Sequence, residues 1–420
     1  MESNNPILII SFILSGIAIL RYLTYLTLSP IYEFQKIRIA KSYKNLTKRQ
    51  IENRTRVSVI VPAWNEEVGI ITSIKSLLKN SYRNLEIIVV NDGSTDLTNK
   101  VIREFVKKNI EGKNLNGKTF KYINKRKNAG KGAAINTGIK NSTGDLIVTM
   151  DADTKFDKDA ILNVAKYFQD KTIDAGVGNV KVANSRTLIG IIQQIEYTLS
   201  FYFKRAHSIC NSEYIIGGAF GIFRKEIFYK YGFFDEKNKT EDIELSTRLK
   251  SLVLKTIFIE DAIAFTEGAS SFQGLMKQRL RWKKGKIDTF TKYKDLFFSN
   301  EKKHNKFLCW FLLPISVLGD FELILFPIIT PVIFYYTFLI KNYEYLMGWI
   351  LLVSFSIFLS YFFGSQQNNK KSAFVIPLFY LASYLLVITE IYAIVNSIKL
   401  YIQKSEITWQ KWERKGVENV

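Results

Sequence analysis

Cysteine and histidine are scarce in this 420-residue sequence, with two residues of each. The cysteines, Cys210 and Cys309, are too few and too far apart for a disulfide framework or a cysteine-based zinc site. The phosphate loops GxGxxG and GxxxxGKS/T are also absent, so a dinucleotide fold or a P-loop protein would lack its phosphate cradle. Acids are outnumbered, with 38 Asp and Glu against 59 Lys and Arg, for a formal charge of +21.

Long uncharged runs at both ends of the chain predict a membrane protein rather than a wholly soluble enzyme. The first, Pro6–Leu28, contains one charged residue, Arg21, and about 20 apolar residues suffice to span a bilayer as a helix. A signal peptide is the competing interpretation, but no basic region precedes the run and no small-residue cleavage site follows it. We therefore predict a retained transmembrane anchor.

Three further apolar blocks lie towards the C-terminus, at 308–340, 346–363 and 373–398. The first could form one tilted span or two short spans divided near Gly319 and Asp320, so three to four C-terminal transmembrane helices are predicted. Arg21, Asp320 and Glu322 are charges in or beside apolar segments, and such charges are costly unless they face water or partners. They indicate either a hydrated channel for a polar polymer or a short interfacial stretch, and the sequence leaves both open.

Basic residues crowd the two ends of the soluble middle. Residues 29–56 hold eight Lys or Arg and two acids, and residues 277–306 hold eleven Lys or Arg and three acids. Cytoplasmic segments beside membrane spans carry such an excess, so we predict a multi-pass protein of the cell membrane whose middle part is cytoplasmic. We disfavour nucleic acid as a partner, because the charge lies at membrane junctions and no zinc-finger or RNP-type pattern is present.

A repeated unit of strand, polar loop and helix fills the soluble middle. VSVIVPAWNEE at 57–67, LEIIVVNDGSTD at 85–96 and DLIVTMDADT at 145–154 each have the pattern of a buried strand followed by an acidic loop. Strands alternating with helices at this spacing predict an α/β fold with a doubly wound parallel sheet. In such sheets ligands bind beyond the carboxyl ends of the strands, which is where the three loops lie.

Two carboxylates, Asp151 and Asp153, follow the third strand and flank one residue. On an extended turn they can face one side and hold a hard divalent cation that also binds phosphate oxygens. The structural alternative is a helix cap with a turn acid. Asp92, on the preceding acidic loop, favours the functional interpretation.

Six motifs occur together in order: VPAWNEE, VVNDGSTD, NAGKGAAINTG, MDADT, TEDIELSTRL and QRLRW. On these motifs the sequence resembles the processive family 2 glycosyltransferases, the membrane synthases of poly-N-acetylglucosamine, hyaluronan, chitin and cellulose. Within that family, GNV at 178–180 and TEDIE at 240–244 resemble the bacterial poly-β-1,6-N-acetylglucosamine synthases. The resemblance implies a GT-A fold, a Rossmann-like cytosolic domain inserted between transmembrane helices.

The resemblance also assigns roles to individual positions. It implies nucleotide-sugar binding by Pro62, Glu66, Asp92, Lys131 and Asp151. Asp153 would ligate Mg²⁺ or Mn²⁺, and Asp242 would act as the general base. The donor diphosphate and the acceptor end of the polymer would be contacted by Gln278, Arg281 and Trp282. If the TEDIE segment is helical, we expect only one of its acids, Glu241, Asp242 or Glu244, to reach the acceptor.

The predicted organisation combines the apolar blocks with this resemblance. It comprises an N-terminal transmembrane helix (1–28), a basic cytosolic linker (29–56), a GT-A glycosyltransferase domain (57–270), interfacial amphipathic helices with QRLRW (271–306), three to four transmembrane helices (307–398) and a basic tail (399–420).

The function that the resemblance implies is inverting, processive polymerisation of a sugar from a UDP-sugar, with UDP-GlcNAc favoured, and export of the polysaccharide. The partners would be the UDP-sugar donor, the growing polysaccharide acceptor and the lipid bilayer, and a small membrane accessory subunit stays open. The alternatives are a hyaluronan- or chitin-type synthase, a non-processive transferase that adds a sugar to a lipid carrier, and an inactive transporter or scaffold. Relatives that act on lipid carriers usually lack QxxRW, which favours polymer synthesis.

Overall fold

A central mixed sheet is the main feature of the computed structural model, which describes residues 6–183, 187–362, 376–405 and 416. The eight strands in these residues are β1 Val57–Ala63, β2 Leu85–Asp92, β3 Thr119–Lys125, β4 Leu146–Thr149, β5 Thr154–Phe156, β6 Ala175–Val182, β7 Gly221–Arg224 and β8 Thr256–Thr266. Their order across the sheet is β3-β2-β1-β4-β7-β6-β8-β5.

Helices flank the sheet and extend beyond it at both ends of the chain. They are α1 Pro6–Leu28, α2 Tyr32–Ala40, α3 Lys48–Arg54, α4 Ile70–Leu78, α5 Thr98–Asn109, α6 Lys131–Lys140, α7 Ala160–Tyr167, α8 Leu188–Ile209, α9 Glu226–Tyr231, α10 Glu241–Ser251, α11 Phe272–Lys292, α12 Leu313–Ile340, α13 Glu344–Phe362 and α14 Ile376–Ile402.

The direction of the strands decides where the polar loops meet. Strand β1 is parallel to β2 and β4, and β2 is parallel to β3, as the sequence predicts. Strand β7 runs antiparallel to both of its neighbours, β4 and β6, so the sheet as a whole is mixed rather than parallel throughout. Because β1, β2 and β4 end at the same edge, their acidic loops lie side by side there.

The hydrophobic core has two layers, one on each face of the sheet. Side chains alternate along β1, so Val59 and Val61 join the cluster that includes α4 and α7, whereas Ile60 joins the cluster that includes α6 and α10. All three side chains are fully buried. Burying each one contributes about 1.5–3 kcal/mol to stability, which explains why these strands are continuous apolar runs.

The N-terminal helices are attached to this core by polar contacts as well as apolar ones. The hydroxyl of Tyr32 is buried and donates a hydrogen bond of 2.7 Å to the carbonyl of Phe258 on β8. Arg205 on α8 is also buried and forms ion pairs with Glu260 and, at 3.2 Å, with Glu33. These contacts fix α2 against α8 and the edge of the sheet.

Two helical stretches in the described residues are long and apolar enough to cross a membrane, Ile9–Ala40 and Leu308–Leu325. Helix α12 is continuous through Gly319 and Asp320, where the sequence allowed a division into two spans. The predicted tail is described up to residue 405 and at residue 416, and its remainder lies outside the described residues, as do residues 363–375. The number of spans therefore stays a prediction.

The charges noted in the apolar segments have partners. Arg21 lies 3.3 Å from Glu322, which joins α1 to α12. Asp320 lies 2.6 Å from Lys283 and 2.8 Å from Lys286, both on α11. Pairing lowers the cost of keeping these charges away from water.

Candidate active site

The loops after β1, β2 and β4 open onto a cavity of about 550 Å³. Helices α10 and α11 close its other side. All ten residues that the sequence places in the site line this cavity: Pro62, Glu66, Asp92, Lys131, Asp151, Asp153, Asp242, Gln278, Arg281 and Trp282. The structure thus brings together positions that are spread over more than half of the chain.

The first two loops are joined to each other by hydrogen bonds. Asn65 has a positive φ of 55°, a conformation that asparagine tolerates better than most residues. Its side-chain oxygen accepts a hydrogen bond of 2.8 Å from the backbone N–H of Thr95, and its own N–H donates to the hydroxyl of Ser94 at 2.9 Å. The N–H of Glu66 donates to the hydroxyl of Thr98 at 2.8 Å. These bonds hold Glu66 at the rim of the cavity.

Asp92 organises the segment that leads into α6. Its carboxylate is buried, forms an ion pair with Lys125, and accepts hydrogen bonds from the N–H groups of Ala129 at 3.1 Å and Gly130 at 2.8 Å. Since Lys131 is the next residue and the first of α6, Asp92 helps to set the position of that lysine.

Lys131 is the cation at the centre of the site. Its ammonium lies 2.6 Å from a carboxylate oxygen of Asp151 and 3.4 Å from one of Glu241. Burial works to lower the pKa of Lys131, but the two carboxylates outweigh it and the pKa is raised, so the lysine is positively charged at neutral pH. Burial raises the pKa of Glu241, and Lys131 offsets part of that effect.

The first turn of α10 carries two acids into the cavity. Asp242 accepts a hydrogen bond of 2.8 Å from the N–H of Gly218, and both Glu241 and Asp242 line the cavity. Which of these acids reaches the acceptor stays a prediction. Glu244 turns away and lies 2.8 Å from the ammonium of Lys292.

Helix α11 supplies the opposite wall. Gln278 is buried, and Arg281 and Trp282 line the cavity beside it. The guanidinium of Arg279 lies 4.7 Å from the centroid of the Trp282 ring, within the range of a cation–π interaction. One face of this indole is therefore already in contact with the protein.

The sequence of this chain is similar to known families and proteins. The chain matches the profile "Glycosyl transferase family 2" over residues 58–232 and the profile "Glycosyl transferase family group 2" over residues 146–389. It is 31% identical over 388 residues to "Probable glycosyltransferase YdaM" of Bacillus subtilis strain 168, covering 87% of this chain and 89% of that protein. The chain belongs to glycosyltransferase family 2.

Further relatives agree with this membership. The chain is 28% identical over 352 residues to the poly-beta-1,6-N-acetyl-D-glucosamine synthase of Staphylococcus epidermidis, and the aligned residues make up 81% of each protein. Among solved structures, it resembles the mannosyltransferase PcManGT from Pyrobaculum calidifontis in complex with GDP-Man and Mn²⁺, with a TM-score of 0.57 over 94% of this chain and all of that chain. At 18% sequence identity that similarity shows the fold alone, and the predicted GT-A fold is confirmed.

Asp153 is the candidate metal ligand of this family 2 glycosyltransferase. It is buried at the cavity wall, with one carboxylate oxygen 3.4 Å from the hydroxyl of Thr154 and 3.5 Å from that of Thr266. No group of three or more His, Cys, Asp or Glu side chains in the described residues could hold a metal ion by itself. Mg²⁺ is often bound by one or two carboxylates together with substrate phosphates, so the residues present fit a cation shared with the donor diphosphate.

Sequence reasoning missed a group of charged residues at the end of the cavity nearest the apolar helices. Five charged residues of the glycosyltransferase line the cavity there: Glu196, Arg279, Lys283, Lys286 and Glu390. The spacing of the three cations on α11, at i, i+4 and i+7, is a signal that could have identified them as one helical stripe. Glu390 has a weaker signal, as a lone acid in an apolar segment.

Proposed function

We propose that this glycosyltransferase is a membrane-embedded, inverting and processive polymerase that uses UDP-GlcNAc to make poly-N-acetylglucosamine and passes the product across the membrane. The proposal rests on one cavity that all the predicted site residues share. It is lined by the acidic loops of the sheet, the first two acids of α10 and the polar and aromatic residues of QRLRW, and it extends to Glu390 on the apolar helix α14. Such a cavity offers one end to a nucleotide and the other to a growing chain.

The proposed reaction is a single displacement. The hydroxyl of the acceptor sugar attacks the anomeric carbon of the donor, the bond from that carbon to the diphosphate oxygen breaks, and UDP leaves. Asp242 takes the proton of the attacking hydroxyl, and its hydrogen bond from Gly218 fixes the direction of the carboxylate. General-base assistance of this kind contributes about 10²–10⁴-fold to the rate.

The departing diphosphate needs positive charge. Lys131 is held as a cation by Asp151 and Glu241, and Arg281 lines the same cavity from α11. A guanidinium can donate two parallel hydrogen bonds to phosphate oxygens. Mg²⁺ or Mn²⁺, held by Asp153 and the diphosphate, would supply further charge compensation when bound.

The choice of sugar and product rests on similarity. The relative in S. epidermidis is named as a poly-beta-1,6-N-acetyl-D-glucosamine synthase, and the similarity extends over most of both chains. We infer a location in the cell membrane, with the glycosyltransferase domain in the cytoplasm, from the apolar stretches at Ile9–Ala40 and Leu308–Leu325 and the basic segments beside them. A cytoplasmic site would have direct access to UDP-sugars.

The proposal is tested by measuring turnover with different UDP-sugar donors. We would purify the full chain in nanodiscs and measure UDP release with UDP-GlcNAc, UDP-glucuronate and UDP-glucose separately, and with UDP-GlcNAc and UDP-glucuronate together. Each reaction would be run with and without Mg²⁺ or Mn²⁺, and the product would be sized on a gel. Asp242→Asn should reduce turnover by about 10²–10⁴-fold. Asp288→Asn, which alters a half-buried acid paired with Lys284 at 2.5 Å outside the cavity, is the matched control.

Each outcome points to one function. Metal-dependent release with UDP-GlcNAc alone and a long polymer would support the proposal. A requirement for UDP-glucuronate as well would favour a hyaluronan-type synthase. Transfer of one sugar to an added lipid carrier would refute processivity, and no turnover with any donor would refute the proposed activity of the isolated chain.

A further inference from the structure

A buried network of charges joins α11 to three other helices at one end of the cavity. Arg279, Lys283 and Lys286 form one stripe along α11, because residues at i, i+4 and i+7 share a helix face. Their acidic partners come from three different helices: Glu196 on α8, Asp320 on α12 and Glu390 on α14. Three positive charges on one helix thus face three negative charges that are distant in sequence.

The two acids on the apolar helices each contact two cations. One carboxylate oxygen of Glu390 lies 3.2 Å from Nε of Arg279, and the other lies 2.9 Å from Nζ of Lys283. Asp320 lies 2.6 Å from Lys283 and 2.8 Å from Lys286. Only 9% of Glu390 and 4% of Arg279 is exposed. Removing one partner of such a buried pair leaves the other charge uncompensated, which is strongly unfavourable.

The network is continuous with the residues assigned to transfer. Arg279 pairs with Glu390 and also contacts the ring of Trp282 at 4.7 Å. The next residue, Leu280, packs against Ala393, one helical turn beyond Glu390 on α14. The orientation of α11 about its axis therefore depends on α14 and α12, and that orientation decides whether Arg281 and Trp282 face the cavity.

We propose that Glu390 and Asp320 are positioning residues, which hold α11 in the register that presents Arg281 to the departing diphosphate and Trp282 to the acceptor. The inference rests on the proposed function, since it concerns the same cavity. Acids are costly in apolar helices, so apolar contacts alone would be the cheaper way to pack these helices together. Paired charges add what apolar contacts lack, a fixed rotation and a fixed axial position.

Kinetics of matched variants in nanodiscs test the proposal. Glu390→Gln keeps the shape of the side chain but removes its charge, and we expect kcat to fall by about tenfold to a hundredfold, as for a misplacement of about 1 Å. The KM for UDP-GlcNAc should change by less than about twofold, because the loops of the sheet hold the nucleotide and Arg281 acts mainly on the charge that develops as the diphosphate departs. Glu390→Asp should recover part of kcat.

Glu322→Gln is the control for these kinetics. Glu322 lies on α12 two residues from Asp320, but it pairs with Arg21 on α1 and not with α11. We expect its kcat to stay within about twofold of the unmodified chain, although its loss also removes an ion pair between apolar helices.

Crosslinking provides a readout that does not depend on activity. Leu280→Cys and Ala393→Cys, introduced after Cys210 and Cys309 are replaced by alanine, should form a disulfide crosslink under a mild oxidant, because the two positions are buried in contact with each other. We expect efficient crosslinking with Glu390 intact and with Glu322→Gln, and at least about threefold slower crosslinking in Glu390→Gln if the helix register is loosened.

The outcomes separate this inference from the proposed function. Reduced kcat with unchanged donor KM and slower crosslinking supports positioning. Unchanged crosslinking overturns the positioning role, whether kcat is unchanged or reduced. A parallel loss of kcat, donor affinity and thermal stability overturns it as well. If the unmodified chain makes no polymer, the proposed function fails, while crosslinking still tests the register of α11.

Discussion

Replacing Gly285 by alanine should separate α10 from α11 and thereby reduce catalysis. Gly285 is buried on α11 where it meets Thr240, the residue before Glu241 and Asp242. A β-carbon on Gly285 would lie 2.0 Å from Oγ1, 2.4 Å from Cγ2 and 2.7 Å from Cβ of Thr240. Carbon atoms in good contact are about 3.5–4.0 Å apart, so the two helices would have to separate by more than about 1 Å.

The magnitude follows from two opposing effects. Alanine is a better helix former than glycine by roughly 0.5–1 kcal/mol. Inserting a methyl group into a packed contact typically costs about 1–3 kcal/mol, so the steric effect should win and Gly285→Ala should lower the free energy of unfolding. A shift of about 1 Å at the first turn of α10, which carries Glu241 and Asp242, can reduce turnover about 10²-fold.

The assay measures the thermal midpoint and UDP release of Gly285→Ala in nanodiscs. Gly16→Ala is the matched control, because that helical glycine has no neighbour within 4 Å of an added β-carbon. Adding Thr240→Ala to Gly285→Ala removes the two nearest atoms and should restore part of the lost turnover, with Thr240→Ala alone as the reference. If Gly285→Ala has the turnover and the stability of the unmodified chain, the close packing of α10 on α11 is refuted.

Three other changes test charges in the cavity and beside it. Lys131→Met should lower the thermal midpoint and weaken UDP binding in calorimetry more than Lys131→Arg does, because uncompensated buried charge costs about 3–5 kcal/mol. Asp153→Asn should abolish the stimulation of UDP release by Mn²⁺, checked by titrating metal after EDTA treatment, and full stimulation would contradict its role as ligand. Burial tends to raise the pKa of Glu213, but Lys204, 2.7 Å away, helps to lower it to about 2. The stability that Glu213 contributes is therefore present above the ordinary glutamate pKa of about 4.3 and is lost as the pH falls towards 2. Between about pH 6 and pH 3 the thermal midpoint should fall more in the unmodified chain than in Glu213→Gln, and equal slopes would disprove the assignment.

The strands and their loops could be predicted because their signals are local. A strand that is buried on both faces must be apolar along its length, and the polar residues that follow it mark where it ends. Strands β1, β2 and β4 accordingly lie within the segments 57–67, 85–96 and 145–154, each of which has the pattern of a buried strand followed by an acidic loop. The ten site residues could be named because they fall in motifs of a known family.

The tertiary structure alone decided which charges meet. Lys131 pairs with Glu241, and Glu390 pairs with Arg279 and Lys283, although each pair is separated by about a hundred residues of chain. No local pattern encodes such partners, because Coulombic attraction depends on distance in space and is strengthened by burial that only the fold creates. For the same reason the sequence could not reveal that β7 enters the sheet antiparallel or that α10 and α11 meet at Gly285.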